Sequence, residues 1–327
     1  MNNIIKHLFT LAGICLLTIV VSSLSATIKW NMPTPYGDGY FHTKNIREFV
    51  AEIEKMSNGE IQITVHSGAS LFPSTEIFRA VRGGQAEIGE LLMANVGNED
   101  PLFNIDSIPF LAVGYEESKK LWDASKPMLV KNLDKMGAVL LYAVPWPPQN
   151  FYSKKEIKDA DFFTGKKLRT YNAITSQLAD LLGASPTTIQ VPEIAQAFTT
   201  GIIDAMITSG ATGVSSQSWD FIDYYTEVQA WMPKNMIFMN KKVWRKLSDK
   251  NKDIILKASA NAELRGWKYS EQANKSDRDT LASKGIKVRT PSAATMKSMK
   301  AVGSKMTNDW MKKAGATGKT VYDNYRK

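Results

Sequence analysis

The stretch AVLLYAVPWPPQNF, Ala138 to Phe151, decides how the chain is organised. Its first seven residues are a continuous apolar run, which reads as a strand buried on both faces. Pro145, Pro147 and Pro148 follow, and each removes a backbone donor and fixes φ, so the chain here is neither helix nor central strand. A stiff, extended connection with an α/β set on either side reads as a first crossing between two lobes.

Upstream, strands and helices alternate. Thr27 to Met32 reads as a strand, and Ile46, Phe49, Val50, Ile53 and Met56 recur at helical period. Asn58-Gly59 turns the chain into the alternating strand Ile61, Ile63, Val65. Ser74 is placed to cap a helix carrying Ile77, Phe78 and Val81, which Gly83-Gly84 stops. A strand from Ala86 to Leu92, a proline-bounded apolar segment from Ile105 to Leu111 and helices around Ser118 and Met128 lead to the opening stretch.

Downstream, Leu168 to Tyr171 reads as a strand, Ser176 to Leu182 as a helix ended by Gly183, and Pro192 as the first residue of a helix over Glu193 to Thr200. Ile202 to Thr208 and Asn235 to Asn240 are further strands, the second returning the chain to its first lobe. From Asp249 to about Lys284 the pattern stays helical behind a Ser248 cap, about 50 Å at 1.5 Å per residue, long enough to span both lobes. This order predicts an α/β architecture with largely parallel sheets and ligand sites at the carboxyl ends of strands. The expected division is a leader over 1–25, one lobe over 26–146 with 235–274, and a second over 147–234 with 275–327.

Lys6 and His7 precede an apolar run from Leu8 to Val21, followed by Ser22, Ser23, Ser25 and Ala26, a secretory signal-peptide pattern with cleavage near Ser25 or Ala26. The run falls short of the roughly 20 residues a membrane-spanning helix needs. Cys15, the only cysteine, lies inside it behind the bulky Ile14, so the mature chain is expected to have no lipid anchor, disulfide or thiolate site. The formal charge is +9, yet the lysines are spread along the chain, which suits attraction of small anions and solubility rather than nucleic-acid binding.

Catalytic signatures such as His-Glu-x-x-His or Gly-x-Ser-x-Gly are missing, and no metal or cofactor is called for. His42 and His66 read as ordinary surface or core histidines, and Gly315, Gly318, Lys319 and Thr320 as a chance likeness to a phosphate loop. An enzyme acting on an organic acid would need a carboxylate base such as Glu90 or Asp204. Asp204 reads instead as ordering a turn.

The segment Gly165-Lys166-Lys167-Leu168-Arg169-Thr170 places an arginine in a strand behind a glycine turn. A guanidinium can make two parallel charge-assisted hydrogen bonds to a carboxylate and stays charged on burial. Pairing of Arg169 with Asp159 or Asp161 is the alternative, and pattern alone leaves both open. Trp30, Tyr36, Tyr40, Trp146, Tyr171, Trp219 and Trp231 stand near predicted loops, where they can wall a pocket or pack a core.

Gly165-x-Lys167-x-Arg169, together with Gly59 to Val65, Leu71 to Gly84, Ala86 to Gly89, Pro109-Phe110-Leu111, Gly183 to Pro186 and Gly201 to Ala205, resembles the extracytoplasmic DctP-type binding subunits of tripartite ATP-independent periplasmic (TRAP) transporters. The resemblance covers nearly the whole mature chain. It implies the two-lobed periplasmic-binding-protein fold of type II-like form, with hinge strands, a cycle of hinge closure, and membrane subunits of a TRAP transporter as partners to a monomeric protein. A sensor protein in the membrane is an alternative partner. It also implies that Arg169 holds the ligand carboxylate.

By the same alignment Asn172 falls where the family often has a ligand-contacting asparagine, and Thr208 where sialic-acid binders carry another. Sialic-acid binders have a second arginine upstream; here Trp146 to Phe151 holds none, and Gln149 is the nearest equivalent. One arginine and one amide favour a small monocarboxylate. Trp146, Tyr171 and Trp231 are expected as aromatic walls, with Tyr40 and Met93 reaching in from first-lobe loops at Tyr36 to Tyr40 and Leu92 to Val96.

Overall fold

The computed structural model describes residues 27–327; the expected leader, with Cys15, lies outside the described residues. Trp30 and Met32 are buried and Lys29 and Asn31 exposed along β1 (Ile28–Pro33), the alternation of a half-buried strand. α1 (Phe41–Met56) buries His42, Asn45, Ile46, Phe49 and Ile53, one face at helical spacing. Asn58 and Gly59, both at positive φ, turn the chain into β2 (Ile61–His66), which pairs in parallel with β1.

There follow α2 (Ser74–Gly83), β3 (Ile88–Leu92), a 3₁₀ segment Pro101–Ser107, α3 (Gly114–Lys135) and β4 (Ala138–Pro145). The helices expected around Ser118 and Met128 are one element, with Pro127 inside it. Ser74 is the first residue of α2 rather than its cap; Pro73 holds that position.

Beyond the prolines come β5 (Asn150–Ser153), β6 (Lys167–Thr170), α4 (Ala173–Leu181), β7 (Ser185–Thr188), α5 (Ile194–Thr199), β8 (Ala205–Thr208), α6 (Gly210–Ser215) and β9 (Tyr224–Thr226). The chain then forms β10 (Lys234–Asn240), α7 (Lys241–Lys246), α8 (Asp249–Ser283), β11 (Lys287–Arg289) and α9 (Ala293–Arg326). Gly315 and Gly318, noted for a superficial motif, lie within α9, which is broken at Gly315 (φ 58°, ψ −145°).

Two larger sheets mark the two lobes, one in the order β3-β10-β4 and one in the order β11-β9-β5-β8-β6-β7. Neither is largely parallel in the way expected: the first is paired antiparallel throughout, and the second is mixed. β10 runs antiparallel to both its neighbours, and β5 antiparallel to β8 and β9. Each is the first strand after one of two extended passages, one beginning at Trp146 and the other ending at Pro233.

The two passages lie side by side. Trp146 N donates to Pro233 O (2.8 Å), Gln149 N to Trp231 O (2.9 Å) and Ala230 N to Gln149 O (2.9 Å). α8, 35 residues long, packs on α1 and β4 near its start and on α6 and β11 further along. Its Ser248 cap accepts from Asn251 N, and its inner face carries Ala258, Ala262, Gly266 and Ser270. The small residues are required: a Cβ at Gly266 would lie 2.4 Å from Val144 Cγ2. α9 packs on α3 and Pro101–Ser107 beside one sheet and on α4 and Ala160–Phe163 beside the other. No helix among the described residues is long and apolar enough to cross a membrane.

Candidate ligand site

Gly165, at φ 71°, makes the turn that starts β6, and Asp204 Oδ2 accepts from Lys167 N (2.9 Å), tying that strand to the start of β8. Leu168 then faces the core, and Arg169 points the other way, toward a cavity of about 260 Å³ between the lobes. Arg169 is 1% exposed. Its Nε donates to Ile189 O (2.9 Å), and the guanidinium carbon stands 4.9 Å from the centre of the Tyr171 ring.

Neither Asp159 nor Asp161 pairs with it, and among the described residues Arg169 has no carboxylate partner. Burial pushes its pKa down to about 10, still well above neutrality. The result is a buried cation on a cavity wall whose two Nη groups can serve an incoming anion.

Gln149, Trp146, Tyr171 and Thr208 line the same cavity. The first passage delivers Trp146 and Gln149, and the ends of β6 and β8 deliver Tyr171 and Thr208, in accord with ligand sites at strand ends. The Tyr171 hydroxyl donates to Gln149 Oε1 (3.2 Å) while Gln149 Nε2 donates to Pro147 O (3.0 Å), which orients the amide and keeps one N–H in hand. From the other lobe, Tyr36 and Leu92 line the same cavity. The rings of Tyr36, Tyr40 and Trp146 pack together, with Tyr36 and Trp146 centred 4.9 Å apart.

Four expected site residues stand elsewhere. Asn172 caps α4, its Oδ1 accepting from Thr175 N (3.0 Å) in a capping box, because its backbone is extended where the helix begins. Met93 is buried in the main core, turned inward by the 3₁₀ turn Met93–Val96. Trp231 is fully buried in that core, where its backbone carbonyl pairs the two passages. Tyr40 packs behind Trp146 and borders a neighbouring cavity with Lys44, Tyr269 and Asp277.

Asn95 lines the cavity from the expected Leu92 to Val96 loop, and Ser209, Thr212 and the run Gln190 to Glu193, which the sequence reading did not select, line it too. The run follows β7 directly, so the strand-end rule was the signal that could have found it. Ser74 Oγ and Asn95 Nδ2 are bonded at the rim (3.1 Å).

Glu90 and Asp204, the candidate bases, are not on the lining. Glu90 is fully buried, with Oε2 accepting from Thr34 Oγ1 (2.5 Å) and Oε1 from Asn235 Nδ2 (2.8 Å). His42 lies against it and is buried, while His66 bonds Asn31 near the surface.

The family model for DctP, bacterial extracellular solute-binding protein, family 7, matches residues 36–314. DctP7, a Bordetella pertussis extracytoplasmic solute receptor binding pyroglutamic acid, is 44% identical, with a TM-score of 0.91 over 92% of this chain and 100% of that one. A TRAP solute binding protein from a marine metagenome, specific for pyroglutamate, is 36% identical, with a TM-score of 0.90 over 92% and 99%. The sialic acid-binding periplasmic protein SiaP of Vibrio cholerae is 23% identical over 74% of this chain and 78% of its own length.

Proposed function

The chain belongs to bacterial extracellular solute-binding protein family 7, DctP, and on that premise we propose that it is the periplasmic receptor of a TRAP-type transporter for a small cyclic monocarboxylate of the pyroglutamate kind. The observation that carries the proposal is the buried Arg169 guanidinium, which has no carboxylate of its own and lines an interlobe cavity. Solved structures 44% and 36% identical to this chain bind pyroglutamate. In this reading Arg169 takes the carboxylate through its Nη groups. The spare Gln149 N–H meets the lactam carbonyl, Thr208 supplies a hydroxyl, and the Tyr171 and Trp146 rings cover the faces of the ligand.

The lobes, 26–146 with 235–274 and 147–234 with 275–327, close on the acid by rotation at the paired passages. A ligand drives closure only through contacts that differ between open and closed states, so it must touch both lobes. Secretion with removal of residues 1–25 and a monomeric state complete the proposal. Calorimetric titration of the mature protein, first stripped of bound solute, tests it. Pyroglutamate should bind, and Arg169→Ala should weaken binding at least about 30-fold, the usual cost of leaving a buried charge unpaired. Failure of pyroglutamate to bind the parent sinks the ligand assignment; tight binding by Arg169→Ala moves the carboxylate away from this arginine.

A further inference from the structure

The cavity wall formed by Tyr36 and Trp146 is held by two residues that do not line it. The Trp146 indole N–H donates to Asn235 Oδ1 (2.9 Å), and the Tyr36 hydroxyl donates to the same oxygen (3.4 Å). An indole nitrogen can only donate, so it requires the amide oxygen; the amide nitrogen must then face the other way. There it meets Glu90 Oε1 at 2.8 Å, and Glu90 is itself anchored by Thr34 Oγ1. Asn235 and Glu90 are both 0% exposed.

We infer that Asn235 and Glu90 are positioning residues that set which acids the cavity accepts: they draw both polar tips of the Tyr36–Trp146 wall onto one buried oxygen. The wall therefore meets the ligand with ring carbon alone. An acid with a compact apolar ring face loses nothing against it, whereas each hydroxyl of an open-chain sugar acid turned toward it is left unpaired. One such hydroxyl weakens binding roughly fivefold to a hundredfold. This inference rests on the receptor reading above, since it concerns the specificity of that same site.

The test compares the affinities of pyroglutamate and galactonate for the parent, Asn235→Leu, Glu90→Leu and Glu90→Gln by calorimetry. The parent should prefer pyroglutamate. Asn235→Leu frees the indole N–H and the phenol to turn into the cavity, so the preference should fall about tenfold, and Glu90→Leu should follow it. Glu90→Gln, whose side-chain oxygen still accepts from Asn235, should keep the parental ratio.

A merely structural role would weaken both acids in parallel at constant ratio, and that result overturns the inference while leaving the receptor reading intact. A parent that binds both acids equally also overturns the inference alone, whereas a parent that binds neither overturns the receptor reading. Should Asn235→Leu fail to fold, the parent still decides the matter. In ¹⁵N-labelled, ligand-free protein the Trp146 indole N–H should exchange slowly with solvent, and fast exchange would refute the arrangement.

Discussion

Replacing Arg169 by methionine should move stability and binding in opposite directions. Folding carries this guanidinium into a site whose burial lowers its pKa well below the ordinary guanidinium value, to about 10, which disfavours the folded state by about 3 kcal/mol at neutral pH. The penalty is present in full below pH 10 and is relieved only as pH rises through that value. Methionine, of similar length and uncharged, removes it, but also gives up the bond to Ile189 O and the contact with the Tyr171 ring, together worth about 2 kcal/mol. The unliganded variant should therefore be more stable by about 1 kcal/mol, a rise in Tm of roughly 2 °C for a chain this long.

With pyroglutamate at 1,000 times the parental Kd the parent gains about 4 kcal/mol and a variant weakened about 30-fold only about 2 kcal/mol, so the order of the two melting curves reverses. Differential scanning calorimetry on refolded, solute-free protein reads both effects. A variant that melts below the unliganded parent would refute the reasoning, because it would mean that the charge of Arg169 is already compensated within the protein.

Three further outcomes follow from the geometry. Burial raises the Glu90 carboxyl to about 7, so the stability this group lends is full below about pH 4.5 and is lost as pH rises through about 7. Denaturant melts at pH 5 and pH 8 should show Glu90→Gln losing less than the parent, the difference approaching about 3 kcal/mol; equal losses would place the titration elsewhere. Gly266→Ala drives a methyl into Val144 and should destabilise by about 1–3 kcal/mol, read as a lower denaturation midpoint, with an unchanged midpoint as the contrary result. Gln149→Leu removes an amide on the cavity wall and should weaken pyroglutamate binding about tenfold by calorimetry without lowering Tm by more than a few degrees; unaltered affinity would remove Gln149 from the proposed site.

The architecture was legible because its signals are local. The Ser248 cap, the periodicity behind it and the prolines at 145–148 each act within a few residues, and the long helix and first passage stand where those signals put them. Strand direction was not legible, since whether β10 enters its sheet parallel or antiparallel depends on the path of the passages and not on any residue within it. The same limit divides the site. Arg169, Gln149 and Thr208 reach the cavity from strand ends and a passage, positions that sequence can mark. Asn172 has the chemistry for a ligand, but the start of α4 takes its oxygen first, and Met93 is lost to the core by a single 3₁₀ turn. Glu90 and Asn235 are 145 residues apart in the chain, and only the β3–β10 pairing brings them together behind Trp146.

The broken helix α9 has a mechanical consequence. Trp310 Nε1 donates to Pro101 O (2.7 Å), the Tyr325 hydroxyl to Leu111 O (2.9 Å), and a Cβ at Gly303 would lie 2.4 Å from Pro109 O, while the same helix rests on α4 beside the other sheet. It is a strap laid across the back of both jaws. Any separation of the jaws that leaves these fastenings intact is a swing about the strap, so displacement grows with distance from it. Gln190 to Glu193 and Pro73-Ser74 line the cavity from opposite jaws, and in such a swing it is the gap between them through which solute passes.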